Sequence, residues 1–529
     1  MNKPAETVHD VAVVGAGPVG MALACLLASS GVHPVVLERL TGPSGVTKVG
    51  SIGPQAVEAL AKCGVYDDLA DAERQTLLGY AAMAGGGRRT ASGSGGGARQ
   101  VRGEHFAGMG GIDSSAYVTD RRRRMLIEQP VIVSILLKRA AEHGVQPRWD
   151  HEVTGLTQHE DHVAVTVTAG GAERTVRARY VIGADGPHST VRKLAGFEFP
   201  GTPGSLTARQ ALVELDRDGA VPPAGFIAAP GGMLAYGTAV NSLGTFEFDG
   251  PPSDDGPMTR EELQASVDRV HGEGVRITSV SEGSRYTDTS RQAATYRSGR
   301  VFLAGDSAHI HPPIGAQGLT LGLGDALNLA WKLAVELRGD APAGLLDTYT
   351  TERHPVAAEL LSLIRAQTAL MRPDAHSRAL RGLFARLMVL PQVNDWLART
   401  SGFFDVRHDM GPGQDVDDAL TGTFCSGLDQ YALDPDSPQD APVPLADLYD
   451  GRRGLLVVFP AGDADREELR RSVSGRVRVV RSETPWQDEV RAVLLRPDGC
   501  VAWAARTGEP WDPEALCAAE ERWLGAETT

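Results

Sequence analysis

Nowhere in this chain do about eighteen apolar residues run together, so no segment reads as a membrane-spanning helix. Cysteine is scarce. The five residues, Cys25, Cys63, Cys425, Cys500 and Cys517, are scattered, and no CxxC or Cys/His spacing joins them. That excludes a disulfide framework, a dithiol centre and a cysteine-built metal site, and no metal is expected. Cys25 lies in an apolar helical stretch and reads as core. Positive charge is in the minority: 52 Lys and Arg against 67 Asp and Glu leave a net charge of −15, which argues against nucleic acid or an anionic membrane as partner. The opening MNKPAETVHD lacks the apolar core of a secretory signal, so a cytoplasmic protein is expected. The 529 residues, 42% of them hydrophobic, suffice for two or three domains with sizeable cores.

The clearest positive signal is VAVVGAGPVGMALACLLASSGVHPVVLER at 11–39. A strand-like apolar run meets Gly15, Gly17 and Gly20, an Ala/Leu helix follows, and a second apolar run ends on Glu38. This is the pattern of a dinucleotide-binding unit. Gly15 permits the tight turn, Gly17 lets the backbone approach a pyrophosphate, and Gly20 lets helix and strand pack closely. Pro18 opens the helix, whose N–H groups and positive dipole end face the phosphates. Glu38 is placed to accept a ribose hydroxyl proton, with Arg39 beside it. NAD and FAD both fit this unit.

Two later segments favour the flavin. At 300–338 the chain reads RVFLAGDSAHIHPPIGAQGLTLGLGDALNLAWKLAVELR. A short apolar strand ends at Gly305-Asp306, with Asp306 aimed out of its tip, and a Pro-Pro turn and a glycine-rich loop follow. From Leu319 the apolar residues recur at helical spacing. The helix that starts after Gly315–Gly318 would turn its positive end toward the negative N1–C2 edge of a reduced isoalloxazine. At 180–196, YVIGADGPHSTVRKLAG, a strand runs into Asp185-Gly186 and then a helix. Asp185 there reads either as a site carboxylate or as a helix cap.

These three segments, in this order and spacing, resemble the para-hydroxybenzoate hydroxylase family, the group A flavoprotein monooxygenases, over roughly residues 10–365. The resemblance implies non-covalent FAD and NADPH as a transient reductant. It also implies O2 as co-substrate, with oxygen delivered to an aromatic carbon from a flavin C4a-hydroperoxide. Residue by residue, it assigns Glu38 to the adenosine ribose, Gln129 to the start of a cofactor-side helix, Asp306 to the ribityl chain and Pro313 to the flavin ring and hydroxylation site. Gly315, Gln317, Gly318, Leu319 and Thr320 match the segment at the ring. Two positions depart from the pattern. Lys48 stands where the family often has an arginine on the FAD phosphate, and it loses the bidentate fork. Thr320 stands where the family usually has asparagine.

The expected fold is α/β. A discontinuous Rossmann-like FAD-binding domain (1–80, 105–195, 296–365) is interleaved with an α+β substrate domain (196–295). A low-complexity loop (81–104) and a helical segment (366–408) accompany them. The last part, 409–529, is similar to the thioredoxin-like domain of longer family members, notably bacterial polyketide hydroxylases of antibiotic biosynthesis, but without their fold's dithiol motif. Strand aromatics Tyr236, Phe246 and Phe248 are candidate pocket walls, though aromatics in strands usually serve packing. His311 is a candidate proton carrier, and His309 is as readily structural. Arg121–Arg124 read as a docking patch for NADPH phosphates or, preferred, as a solvated turn. The expected reaction is hydroxylation of a polycyclic aromatic polyketide. Baeyer–Villiger oxygenation on the same scaffold stays open, a flavin dehydrogenase less so. A homodimer is an open expectation.

Overall fold

Val8–Val14 lies inside an eight-stranded sheet because its last four residues are apolar and covered on both faces. Its neighbours run parallel to it: Val35–Leu37 on one side and Ala172–Gly183 on the other, so that Ala12 lies opposite Val35 and Val181. Val301–Leu303 continues the parallel set beyond Gly183. Parallel strands covered on both faces carry unbroken apolar runs. Ala172–Gly183 is the pivot of the sheet. Its first half pairs antiparallel with Val163–Ala169, whose burial alternates residue by residue, and its second half enters the parallel set. Helices Pro18–Ser29, Gln129–Glu142 and Gly318–Arg338 share one apolar core with this sheet. The structure is a computed structural model and describes residues 7–45, 50–85, 104–216, 219–237, 241–252, 256–411, 419–433, 441–459, 463–482, 484–486, 490–508 and 512–525. Lys48 and most of the glycine-rich stretch after 85 lie outside them.

A second, antiparallel sheet of five strands is built from Thr207–Leu215, Gly225–Ala229, Gly232–Tyr236, Ser242–Glu247 and Ile277–Tyr286. Helix Arg260–His271, opened by the Thr259 side chain accepting from the Glu262 N–H, covers one face. The other face looks toward the first domain. The hairpin Glu104–Phe106/Met109–Ile112 packs on that second face with Phe246 and Met233, and so associates with the substrate sheet rather than the nucleotide-binding core.

Helices Ala375–Leu387 and Pro391–Ser401 follow, and then the C-terminal module. Its central strands lie in the order Val477–Ser482, Gly454–Val458, Val490–Leu495, Val501–Arg506. The first two are parallel and the last two form an antiparallel hairpin, with helices Asp463–Arg471 and Pro513–Leu524 in attendance. This strand–helix–strand unit followed by a hairpin and a helix is the arrangement that a thioredoxin-like domain calls for. Its own core holds Val480, Val493 and Leu495. A separate apolar cluster, with Trp331 and Val335 of helix Gly318–Arg338 against Leu456, Leu494 and Trp523, joins the module to the first domain. Among the described residues no helix is long and apolar enough to cross a membrane.

Candidate functional site

The glycine turn has the geometry its spacing predicts. Gly15 sits at φ +108°, and a Cβ there would overlap the Ala184 carbonyl of the neighbouring strand's turn. A Cβ on Gly20 would overlap the Gly15 carbonyl. A Cβ on Gly17 would meet nothing within 4 Å, so the backbone is bare on the side a pyrophosphate would approach. Pro18 opens the helix, no side chain caps its N-terminus, and no acidic residue stands in its first turn. One Glu38 oxygen accepts from the Ala16 N–H at 2.8 Å and the other from the Leu40 N–H at 3.0 Å, which sets the carboxylate at the rim of this turn. Arg39 is exposed. Half-buried Gln129 begins its helix with Pro130 behind it. Open space at Gly17, uncapped N–H groups and a nearby carboxylate fit a dinucleotide.

Asp306 and Asp185 do different work. Asp306 stands exposed on a short 3-10 turn, Gly305–Ser307, at the tip of Val301–Leu303. Asp185 is turned into the protein. It accepts from the N–H groups of Thr190 (2.6 Å) and Val191 (3.1 Å) and from the hydroxyls of Ser189 and Ser307. The capping alternative therefore describes its carboxylate. The Asp306 turn is itself held by a residue the sequence reading passed over. Fully buried Asp325, on helix Gly318–Arg338, accepts from the Gly305 N–H (3.1 Å), from His309 Nε2 (2.7 Å) and from Arg353 Nε (2.9 Å). Burial works to raise the Asp325 carboxyl, but the His309 and Arg353 groups bonded to it hold it below the usual range. His309, wholly buried on Asp325, is a structural group. A polar stripe at i, i+3 and i+7, Asp325, Asn328 and Lys332 inside an otherwise apolar helix, was the signal in the sequence.

The loop after Asp306 carries exposed Pro313, Gly315 at φ +81° and Ala316 at φ +55° before helix Gly318–Arg338 begins without a side-chain cap. Gln317 instead donates to the Ser401 carbonyl at 2.9 Å, which ties the loop to the last helix of the 375–401 pair. Leu319 and Thr320 are buried in the first turn. His311 Nδ1 lies 2.8 Å from the Pro312 carbonyl. A carbonyl only accepts, so Nδ1 carries the proton and Nε2 presents a lone pair, 3.2 Å from where a Gly318 Cβ would stand. Burial holds the His311 pKa below its ordinary value, so the ring is neutral near pH 7.

Phe246 shares an apolar cluster with Ile314 of this loop and with Met233, Phe106, Leu370 and Met371. Phe226 and Tyr286 lie beside it, with ring centroids 6.3 and 6.2 Å away. Phe248 flanks the same cluster, with the Arg372 guanidinium 5.3 Å from its ring. Tyr236 does not join them, and its expectation as a pocket wall is corrected. It pairs with Leu243 and packs under helix Arg260–His271, because a strand turns successive side chains to opposite faces and Tyr236 is out of phase with Met233.

Arg121–Arg124 are neither a solvated turn nor a free phosphate patch. Arg121 donates to the Tyr431 hydroxyl at 2.9 Å, Arg122 lies 3.6 Å from Glu58, and Arg123 forks onto buried Glu73. Arg124 reaches Ser51 at 3.3 Å. A cleft of about 640 Å³, counting its part open to solvent, separates the first domain from the module. Thr320, Gly324 and Leu327 line it on the helix face turned away from Gly322, which packs on Gly305, so this cleft is not the nucleotide turn.

Comparison with known proteins agrees with this geometry. Residues 8–363 match the "FAD binding domain" family and residues 426–527 match "Aromatic-ring hydroxylase, C-terminal". The chain is 34% identical to the 12-dehydrotetracycline 5-monooxygenase/anhydrotetracycline 6-monooxygenase of Streptomyces rimosus, over 98% of this chain and 99% of that one. Among solved structures, OxyS anhydrotetracycline hydroxylase from Streptomyces rimosus superposes with a TM-score of 0.82 at 32% identity, covering 98% of this chain and all (100%) of the other. The Diels-Alderase PyrE3 of pyrroindomycin biosynthesis superposes with a TM-score of 0.77 at 32% identity, covering 98% and 99%. With its nucleotide turn, Asp306 turn and C-terminal module all matched, the chain belongs to the FAD-dependent aromatic-ring hydroxylases, a family of flavoprotein monooxygenases.

Proposed function

We propose that this flavoprotein hydroxylates a polycyclic aromatic polyketide, using O2 and transient NADPH. The observation that carries the reading is the apolar face of Phe246, Met233 and Ile314, which meets the proline loop just ahead of helix Gly318–Arg338. FAD supplies oxygen activation when bound. The chain's own residues bind, orient and exclude water. Gly17 and the Pro18 helix end take the pyrophosphate, and Glu38 and Gln129 take the adenosine side. Asp306 takes the ribityl hydroxyls, and the backbone N–H groups from Gly318 to Thr320 face the ring's pyrimidine edge. Pro313 sits against the ring, and Phe246 and Phe248 wall the substrate. Neutral His311 can accept a phenolic proton at Nε2.

Incubation with NADPH, 18O2 and a panel of tetracyclic and angular phenols is expected to give a product carrying one 18O as a phenolic hydroxyl. A lactone bearing the label would replace hydroxylation with Baeyer–Villiger oxygenation. An isomerised product without label, the outcome the Diels-Alderase relative makes worth testing, would overturn the oxygenase reading for this chain. Five free cysteines, four of them buried, suit a reducing cytoplasm. A homodimer through the apolar outer face of Ala375–Leu387, where Leu380, Leu383 and Leu387 are exposed, belongs to the same proposal and is read by light scattering.

The two carboxylates separate in the same preparation. Asp306→Ala should raise the FAD dissociation constant about 10- to 30-fold, the loss of one charge-assisted pair of hydrogen bonds, with little change in apo-protein melting. Asp185→Ala removes four internal hydrogen bonds and should lower apo-protein stability by about 2 kcal/mol. Equal FAD retention in wild type and Asp306→Ala would remove Asp306 from the site.

A further inference from the structure

Between the Asp306 turn and the C-terminal module runs a continuous buried seam of charge. On helix Gly318–Arg338 it takes Asp325, Asn328 and Lys332, and on helix Thr348–Met371 it takes Glu352 and Arg353. The module adds Arg496 and Asp498 from the turn between its hairpin strands. All of these side chains are at most 5% exposed. Three carboxylates face three cations, so the seam is balanced as it stands. Arg496 forks onto Glu352 with both bonds at 2.8 Å, Lys332 meets Glu352 at 3.0 Å, and Asn328 donates to it at 2.6 Å. One residue further on, and so about 100° round the helix, Arg353 reaches Asp325. Asp325 in turn holds the Gly305 N–H.

We propose that the C-terminal module completes the FAD site from behind, with Arg496, Glu352, Arg353 and Asp325 as successive positioning residues for the Gly305–Asp306 turn. The helix between them needs such anchoring. Pro355 lies inside it and supplies no N–H to the preceding turn, so its backbone is weakest where Glu352 and Arg353 project. A fork from Arg496 fixes the rotation of that turn, and the rotation fixes where Arg353 carries Asp325. The module thereby acts without any dithiol and without touching the cofactor, and it does so whichever reaction the enzyme performs.

The coupling is testable because it is reciprocal. FAD titrations of apo-protein should show the dissociation constant rising about tenfold in Arg496→Met, and at least as much in Asp325→Asn. Arg496→Lys, which keeps the charge but loses the fork, should fall between Arg496→Met and wild type. Val480→Ala trims the module's own core at a fully buried position outside the seam. It should destabilise the module yet leave FAD affinity within twofold. In the unaltered enzyme, FAD binding should slow hydrogen exchange along Val490–Leu495 and Val501–Arg506, and Asp325→Asn should abolish that slowing. This second measurement holds even if Arg496→Met fails to fold. Equal FAD affinity in Arg496→Met and wild type, equal effects of Arg496→Met and Val480→Ala, or hairpin exchange indifferent to FAD would each overturn the proposal.

Discussion

A Gly17→Val enzyme will fold like the wild type and purify colourless. A Cβ at this position has no atom of the described residues within 4 Å, and φ at the helix cap is −73°, open to any residue. The melting temperature of the apo-protein should therefore stay within a few degrees of wild type. The isopropyl group nevertheless stands on the face of the turn that a pyrophosphate must approach to reach the N–H groups behind Pro18. FAD affinity should fall by about 1000-fold or more, about 4 kcal/mol. Gly15→Val is the contrast. Its φ of +108° and the Ala184 carbonyl leave no room for a side chain, so flavin and fold should fail together. A yellow Gly17→Val protein with wild-type flavin content would detach this turn from the cofactor.

Acidification should loosen the joint between the module and the first domain well before the enzyme reaches ordinary acid-denaturing pH. Burial drives His408 down to about 3, and among the described residues neither ring nitrogen has a hydrogen-bond partner. An unfolded chain takes up this proton below about 6.5 while the native chain refuses it, so stability present above pH 6.5 is lost as pH falls toward 3. Between pH 6.5 and 4.5 this one residue amounts to about 2 kcal/mol. His105, held down to about 4 by burial, pulls in the same direction over the same window. The seam carboxylates follow. Burial works to raise Glu352 and Asp498, but the cations beside them hold both below their ordinary values. Their contribution is present above about pH 4.5 and lost below it. Urea denaturation at pH 7.0, 5.5 and 4.5 should give steadily falling stability, and His408→Phe should flatten the upper part of that fall. A pH-independent stability over this range would mean that these groups are hydrated in solution.

The contrast between these two results follows how far apart in the chain the interacting groups lie. At Gly15 and Gly20 the turn depends on a φ angle or a close approach within a few residues or to the adjacent strand, which glycine alone satisfies. Gly15, Gly17, Gly20 and the exposed Asp306 were accordingly legible, as was the flavin-binding class. The module's strand–helix pattern was legible for the same local reason. The identity of the helix cap at Asp185 was not, because a turn carboxylate before a helix serves a cofactor or its own backbone equally well until its direction is known.

The amino-acid sequence by itself determined the nucleotide turn, the flavin-binding class and the absence of a dithiol, because each depends on neighbouring residues or on residue type alone. Only the tertiary structure decided that Arg121 ties the first domain to the module while Arg122, Arg123 and Arg124 hold Glu58, Glu73 and Ser51 within it, that Tyr236 belongs to the wrong face of its sheet, and that Asp325, Lys332, Glu352 and Arg496 meet in one seam. Arg496 and Glu352 stand 144 residues apart. Nothing in either local stretch specifies the other. Packing removes both from water, and an unpaired buried charge is too costly to persist, so the fold brings them together.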